Sequence, residues 1–139
     1  RNLLFGGFAP ESQRPDLGAW TENLVFTELC KNTNPLLDTI HYWRSSSGAE
    51  VDFIIRRSER LIAVEVKAGT LKRPKVSRSL RSFIQAYRPD QVFVFNESYA
   101  GSLEVEGCTV TFEKLVYIPS RMNEKTAENI NRSKQGESP

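Results

Sequence analysis

The order of elements legible in this sequence is helix, three strands, helix, strand, which predicts an α/β or α+β fold. Three observations carry that reading. Two runs rich in Val, Ile and Phe, 50–55 and 61–67, flank the polar tetrad Arg57-Ser58-Glu59-Arg60, the pattern of a β-hairpin. Apolar residues recur at helical spacing over 17–31 and again over 75–88. A continuous apolar run, Gln91-Val92-Phe93-Val94-Phe95-Asn96, comes after the second helix and is therefore expected to pair in parallel with the 61–67 strand or close to it.

Residues 1–15, with Gly6-Gly7, Pro10 and Pro15, read as an irregular lead-in from a preceding domain of a larger protein. Asp16 is placed to cap a helix over 17–31, whose Val25, Phe26 and Leu29 share one face with Glu22. Asn32-Thr33-Asn34-Pro35 stops that helix, and 39–44 reads as a first strand. Ser45-Ser46-Ser47-Gly48 then turns into the central hairpin. After Lys67, Ala68-Gly69 ends the strand and 70–74 is a basic loop. Val76, Leu80, Phe83, Ile84 and Tyr87 mark the buried face of the second helix, which Pro89 ends. Residues 99–107 are expected as an acidic loop, 109–112 as an edge strand, and 115–118 as a short apolar turn. The packed domain is thus expected over 16–118. Residues 119–139 read as a polar tail with one helical stretch at about 123–131.

The chain of 139 residues carries a net charge of +2, and that small figure hides a strong asymmetry. Residues 56–88 hold ten Lys or Arg against two Asp or Glu, a net +8, between flanking segments of −3 each. The positive third comes directly after the hairpin and suits an anionic partner such as DNA or RNA, while a solvated helix face beside basic turns is the competing account. No run approaches the roughly 20 apolar residues of a membrane span. Cys30 and Cys108 lack metal-ligand spacing, so they are expected as small buried apolar side chains in a reducing cytoplasm. His41, the only histidine, is expected as a surface or sheet residue.

The hairpin carries the chemistry. Period-two alternation puts Glu50, Asp52 and Ile54 on one face of its first strand and Ala63, Glu65 and Lys67 on one face of its second. With a turn centred between Ser58 and Glu59, Asp52 faces Glu65 and Glu50 faces Lys67. Like charges directly opposed destabilise a strand pair. A divalent cation between Asp52 and Glu65 removes the conflict, since hard cations take carboxylate oxygens. An odd-numbered turn would instead send Asp52 and Glu65 to opposite faces, and a hairpin with a charged exposed face remains the alternative.

Asp52 followed by Glu65-Val66-Lys67 resembles the Asp…Glu-x-Lys signature of the PD-(D/E)XK nuclease superfamily. The wider string is more specific: Leu17-Gly18-Ala19-Trp20-Thr21-Glu22-Asn23-Leu24-Val25-Phe26, then Tyr42-Trp43-Arg44, then Gly48-Ala49-Glu50-Val51-Asp52-Phe53, then Val64-Glu65-Val66-Lys67-Ala68-Gly69. It is similar to the domain of unknown function at the C-terminal end of many bacterial and archaeal AAA-type ATPases. Val51 stands where the signature's proline would precede Asp52.

The resemblance implies a restriction-endonuclease-like αβββαβ core, with a central mixed β-sheet flanked by helices. It also implies an Mg²⁺- or Mn²⁺-dependent site for phosphodiester hydrolysis. Asp52 and Glu65 would hold the metal, Glu22 would assist from the first helix, and Lys67 would orient water or stabilise charge on the phosphate. Glu50 would tune Lys67 or join the metal's surroundings. Lys72, Arg73, Lys75, Arg78 and Arg81 would line the path of the nucleic-acid backbone. The expected partners are DNA or RNA and an N-terminal ATPase domain of the same chain. No phosphate-cradling glycine-rich loop is present, so ATP hydrolysis would lie outside this stretch. A non-catalytic nucleic-acid-binding or protein-interaction module on the same fold is the alternative.

Overall fold

A six-stranded mixed sheet forms the middle layer of the molecule, its strands in the spatial order Asp38–Arg44, Glu50–Arg57, Arg60–Val66, Gln91–Asn96, Cys108–Lys114 and Gly101–Val105. The computed structural model describes residues 17–123. The elements run α1 (Leu17–Lys31), β1 (Asp38–Arg44), β2 (Glu50–Arg57), β3 (Arg60–Val66), α2 (Arg78–Tyr87), β4 (Gln91–Asn96), β5 (Gly101–Val105), β6 (Cys108–Lys114), a 3-10 turn (Leu115–Tyr117) and α3 (Ile118–Met122). β1, β2 and β3 are antiparallel neighbours, β3, β4 and β6 run parallel, and β5 closes the far edge antiparallel to β6. The expected lead-in 1–15, the cap Asp16 and most of the expected 123–131 helix lie outside the described residues. No helix among the described residues is long and apolar enough to cross a membrane.

Strands covered on both faces read as continuous apolar runs, and β2, β3 and β4 do so. Phe53, Ile55, Ile62 and Val64 pack under Val25 and Leu29 of α1 and under Ile118 and Met122 of α3. Ile54, Ala63, Val92 and Val94 pack on the other side, under Leu80, Phe83 and Ile84 of α2. The β2–β3 turn contains two residues, Ser58 and Glu59. It sets Arg57 opposite Arg60 and Phe53 opposite Val64, the register expected from the sequence.

Alternation along β2 is interrupted at one place. His41 pairs with Ile54 but Trp43 pairs with Val51, so Asp52 and Phe53 lie across from the single residue Tyr42. This is a β-bulge, which adds a residue to one strand and re-aims the side chains beyond it. Val51 and Ile54 therefore share the α2 side of the sheet despite an odd spacing.

Several elements depart from expectation. The segment read as an acidic loop contains strand β5, whose Val105 is buried. Glu106 and Gly107 both adopt positive φ, the pairing that a tight two-residue hairpin turn requires, and so connect β5 to β6. β6 is consequently an interior strand, and β5 is the edge. The second helix begins at Arg78 because Ser77 caps it, accepting a hydrogen bond from the Leu80 amide at 3.1 Å. The packed chain also runs past 118: α3 inserts Met122 into the core with no exposed surface. Cys30 is exposed rather than buried, and Cys108 is half-buried.

Arg57, read from the sequence as part of a polar turn, is buried. Its Nε lies 3.3 Å from Asp38 Oδ2, and its terminal nitrogen donates to the carbonyls of Asn32 (3.3 Å) and Met122 (2.8 Å). One guanidinium thus joins the end of α1, the start of β1 and the end of α3. Removing one member of a buried ion pair leaves the other uncompensated, at a cost of about 3–5 kcal/mol. Arg57→Met should lower the free energy of unfolding in urea by that order, and adding Asp38→Asn should recover part of the loss.

Candidate functional site

The β2–β3 ladder stops one step short of Asp52 and Glu65. Beyond the Phe53–Val64 pair, the Val66 amide donates to the Asp52 side chain, with Oδ2 accepting at 2.8 Å. The bulge carries β2 away from β3, and the carboxylate fills the place that a strand carbonyl would take. Asp52 is half-buried.

Glu65 belongs to β3 and is only 5% exposed. Its Oε1 accepts a hydrogen bond from the Ser77 hydroxyl at 2.6 Å and lies 3.9 Å from Lys67 Nζ. Its Oε2 is buried with no hydrogen-bond partner among the described residues. Burial pushes the Glu65 carboxyl above the usual glutamate range. The Ser77 hydroxyl and then Lys67 pull it partly back, and the nearby charge of Asp52 adds to the rise. Each carboxylate therefore commits one oxygen to the protein, Oδ2 of Asp52 to an amide and Oε1 of Glu65 to a hydroxyl. The structure brings Asp52, Glu65 and Lys67 together, as the hairpin register implies.

The other expected members lie differently. Glu50 pairs with Arg44 across the β1–β2 ladder, not with Lys67. Glu22 is half-buried on α1 and has an interaction of its own. Among the described residues no three His, Cys, Asp or Glu side chains form a metal-binding group, so Glu22 does not complete one with Asp52 and Glu65. His41 is exposed on β1 as expected. Lys72, Arg73, Lys75, Arg78 and Arg81 lie on the loop and first turns after β3, each exposed or half-buried. Arg81 lies 3.9 Å from Glu106.

Ser77 is the participant that sequence reasoning missed. It caps α2 and donates to Glu65 at once, so it ties the start of that helix to the carboxylate. Its signal was present: a serine immediately before the first helical residue marks an N-cap.

Two uncommitted carboxylate oxygens beside one lysine suit a hard divalent cation, which often takes only one or two protein carboxylates and completes its coordination with water and substrate. The buried, unpartnered Oε2 of Glu65 is the feature that fits such an ion. In metal-free protein the same feature should appear as a pH effect. Because the folded-state pKa of Glu65 is raised, the folded state binds more protons than the unfolded state between the two values, and stability falls as pH rises through that interval. The contribution is fully present below about pH 4.3, the ordinary glutamate value, and is lost above the raised one. Glu65→Gln keeps the acceptor for Ser77 and removes the titration. Melts in EDTA should show a flatter profile above about pH 4.3 and a higher melting temperature at neutral pH than wild type.

Residues 17–114 match the family described as a domain of unknown function, DUF4143. Two uncharacterized proteins, one from Mycobacterium tuberculosis and one from Mycobacterium bovis, are each 34% identical to it over 70 residues. That match covers 50% of this chain and 15% of each relative, so this chain corresponds to a minor part of their length. The family match spans α1 through β6, the whole sheet and every residue of the carboxylate–lysine cluster, and on that ground the chain belongs to the DUF4143 family of domains of unknown function.

Proposed function

We propose that this domain is a divalent-metal-dependent phosphodiester hydrolase module acting on nucleic acid, built on a restriction-endonuclease-like αβββαβ core. In this reading it is carried within a longer cytoplasmic protein, C-terminal to an AAA-type ATPase domain. The observation that carries the proposal is the convergence of Asp52, Glu65 and Lys67, with a buried Glu65 oxygen left without a partner among the described residues. The element order from α1 to β4 matches that core and supports the fold assignment.

Asp52 and Glu65 would hold Mg²⁺ or Mn²⁺, a group that supplies an activated water and charge stabilisation at the phosphate when bound. Asp52 is held by the Val66 amide and Glu65 by Ser77, so neither carboxylate has to be ordered anew for its task. Glu65 must lose the proton that burial favours before it can ligate, which makes cation binding weaker at low pH. Lys67, part-exposed beside Glu65, would place its ammonium against the scissile phosphate and offset the developing charge. The five cations after β3 would contact the phosphate backbone without reading its sequence. A non-catalytic binding module on the same fold is the second reading. It is favoured by the lack of a third carboxylate in the cluster among the described residues.

Substitution separates the two. Asp52→Asn removes one ligand charge at constant volume, and cleavage in Mg²⁺ or Mn²⁺ should fall by several orders of magnitude. The metal-free variant should melt above wild type, because the repulsion with Glu65 is gone, and Mg²⁺ should raise the melting temperature of wild type only. Lys67→Met should abolish plasmid nicking and preserve the Mg²⁺ shift. Absence of both nicking and any Mg²⁺ shift in the wild type would rule out the hydrolase reading.

Binding has its own signature. Affinity for DNA or RNA should drop steeply between about 50 and 200 mM salt, since phosphate contacts release counterions. Replacing Lys72, Arg73, Lys75, Arg78 and Arg81 with Ala should weaken binding and flatten that salt slope. Unchanged affinity would place the nucleic acid elsewhere.

A further inference from the structure

A cleft of about 380 Å³ opens directly beside Asp52, lined by Tyr42, Trp43, Arg44, Glu50, Val51 and Asp52. The β2 bulge lies at its edge. With Asp52 and Phe53 both lying across from Tyr42, the two strands are offset, and residues of β1 that alternation would send to opposite faces border one space. The floor is fixed. Val51 is buried, and the Trp43 ring packs edge-on against Phe83 at 5.2 Å and Tyr87 at 6.1 Å. Tyr42 differs: it is 70% exposed on an edge strand, and none of the ring contacts among the described residues involves it. The paired charges of Arg44 and Glu50 close the rim with hydrogen-bond donors next to an acceptor.

We infer that this cleft is the seat of an unpaired nucleobase stacked on Tyr42, and that the domain therefore takes single-stranded nucleic acid in preference to duplex. The inference rests on the hydrolase reading only in placing the base next to the reacting phosphate. The volume is at the low end for small-ligand sites and suits one nucleotide unit rather than a helix groove. An exposed aromatic ring bordering a cleft of this size is a platform on which a base of a single strand can stack, because every base has a stacking face. In a duplex both faces of a base are already stacked and its edge is paired, so a base enters a cleft only from a single strand, an end or a flipped position. The exposed Lys72, Arg73, Lys75 and Arg78 on the connection after β3 supply positive charge for the backbone.

The test is fluorescence anisotropy in EDTA at fixed low salt, with the domain in its full chain. The probes are a labelled oligothymidylate, a duplex of equal length, and an abasic strand of equal length. Wild type should bind the oligothymidylate more tightly than the duplex and the abasic strand. Tyr42→Ala should lose roughly 5- to 150-fold of the single-strand affinity, the range of one base–aromatic stack, with the duplex and abasic values almost unmoved. Tyr42→Phe should retain wild-type binding. Tyr42 is exposed, so circular dichroism should show both variants folded. Equal binding of abasic and normal strands by wild type, or an unchanged Tyr42→Ala affinity, overturns the inference and leaves the cleft to a protein partner. Because no metal is present, the outcome is independent of cleavage. Base-dependent binding without nicking in Mg²⁺ would remove the hydrolase and keep the cleft, and nicking with base-independent binding would do the reverse.

Discussion

The register of the β2–β3 hairpin is the constraint on which the rest of the structure depends. Ser58 takes a positive φ, the turn closes in two residues, and Arg57 meets Arg60. From that pair onward every side chain is assigned to a face: Phe53, Ile55, Ile62 and Val64 to the α1–α3 layer, Ile54 and Ala63 to the α2 layer. A slip of one residue would exchange the two sets and turn Arg57 away from Asp38. The same register carries Asp52 to the level of Glu65. The bulge then ends the ladder there, which leaves the Val66 amide in need of an acceptor. A buried amide without one costs about 1–3 kcal/mol, so the Asp52 carboxylate is held in place by the requirements of the fold as well as by any ligand.

Glu65 shows how the fold bears an unfavourable group. A carboxylate near the end of a strand buried on both faces has its pKa raised by desolvation. The structure offsets the penalty with one short hydrogen bond from Ser77 and a lysine at 3.9 Å, yet leaves Oε2 without a partner among the described residues. A core position chosen for stability alone would hold valine, as the neighbours Val64 and Val66 do. Because Ser77 is also the cap of α2, any change in the charge of Glu65 is felt at the start of a helix whose Leu80, Phe83 and Ile84 form one side of the core.

Much of this was legible in the residues. The boundaries of α1, β1, β3 and β4, the two-residue turn and the parallel β3–β4 pair come from apolar periodicity and from Gly, Pro and Asn punctuation. Parity with a centred turn put Asp52 opposite Glu65; the ladder ends one pair earlier, at Phe53 and Val64, and Asp52 lies near enough for its charge to act on Glu65. Parity could not supply the bulge. A bulge leaves no mark in a run such as Val51-Asp52-Phe53-Ile54, yet it decides that Glu50 meets Arg44 and that Tyr42 borders the site. β5 was missed for a different reason. Ser102-Leu103-Glu104-Val105 alternates as a strand should, but its charge and flanking glycines read as a loop until Glu106-Gly107 is recognised as a hairpin turn. The burial of Arg57 is a long-range fact. It depends on Asn32 and Met122, each remote in sequence, and local pattern carries no trace of either.

The location of the cluster is set by how the chain leaves the sheet. β3 is where the sheet changes from antiparallel to parallel, with β2 on one side and β4 on the other. At its carboxyl end the chain must cross over to reach β4, and it does so through α2 on one face while α1 and α3 cover the other. β2 diverges at the same level through its bulge. Space opens where strands part and crossovers depart, which is why ligands gather outside the carboxyl ends of strands at such switch points. The connection that leaves this opening, from Lys67 to Arg81, is also strongly cationic. In the proposed reading an anionic polymer approaching the opening would meet exposed lysines and arginines before the buried Glu65. Attraction by the surface and a cation held by the carboxylates would then both be consequences of one crossover, set by where β3 ends.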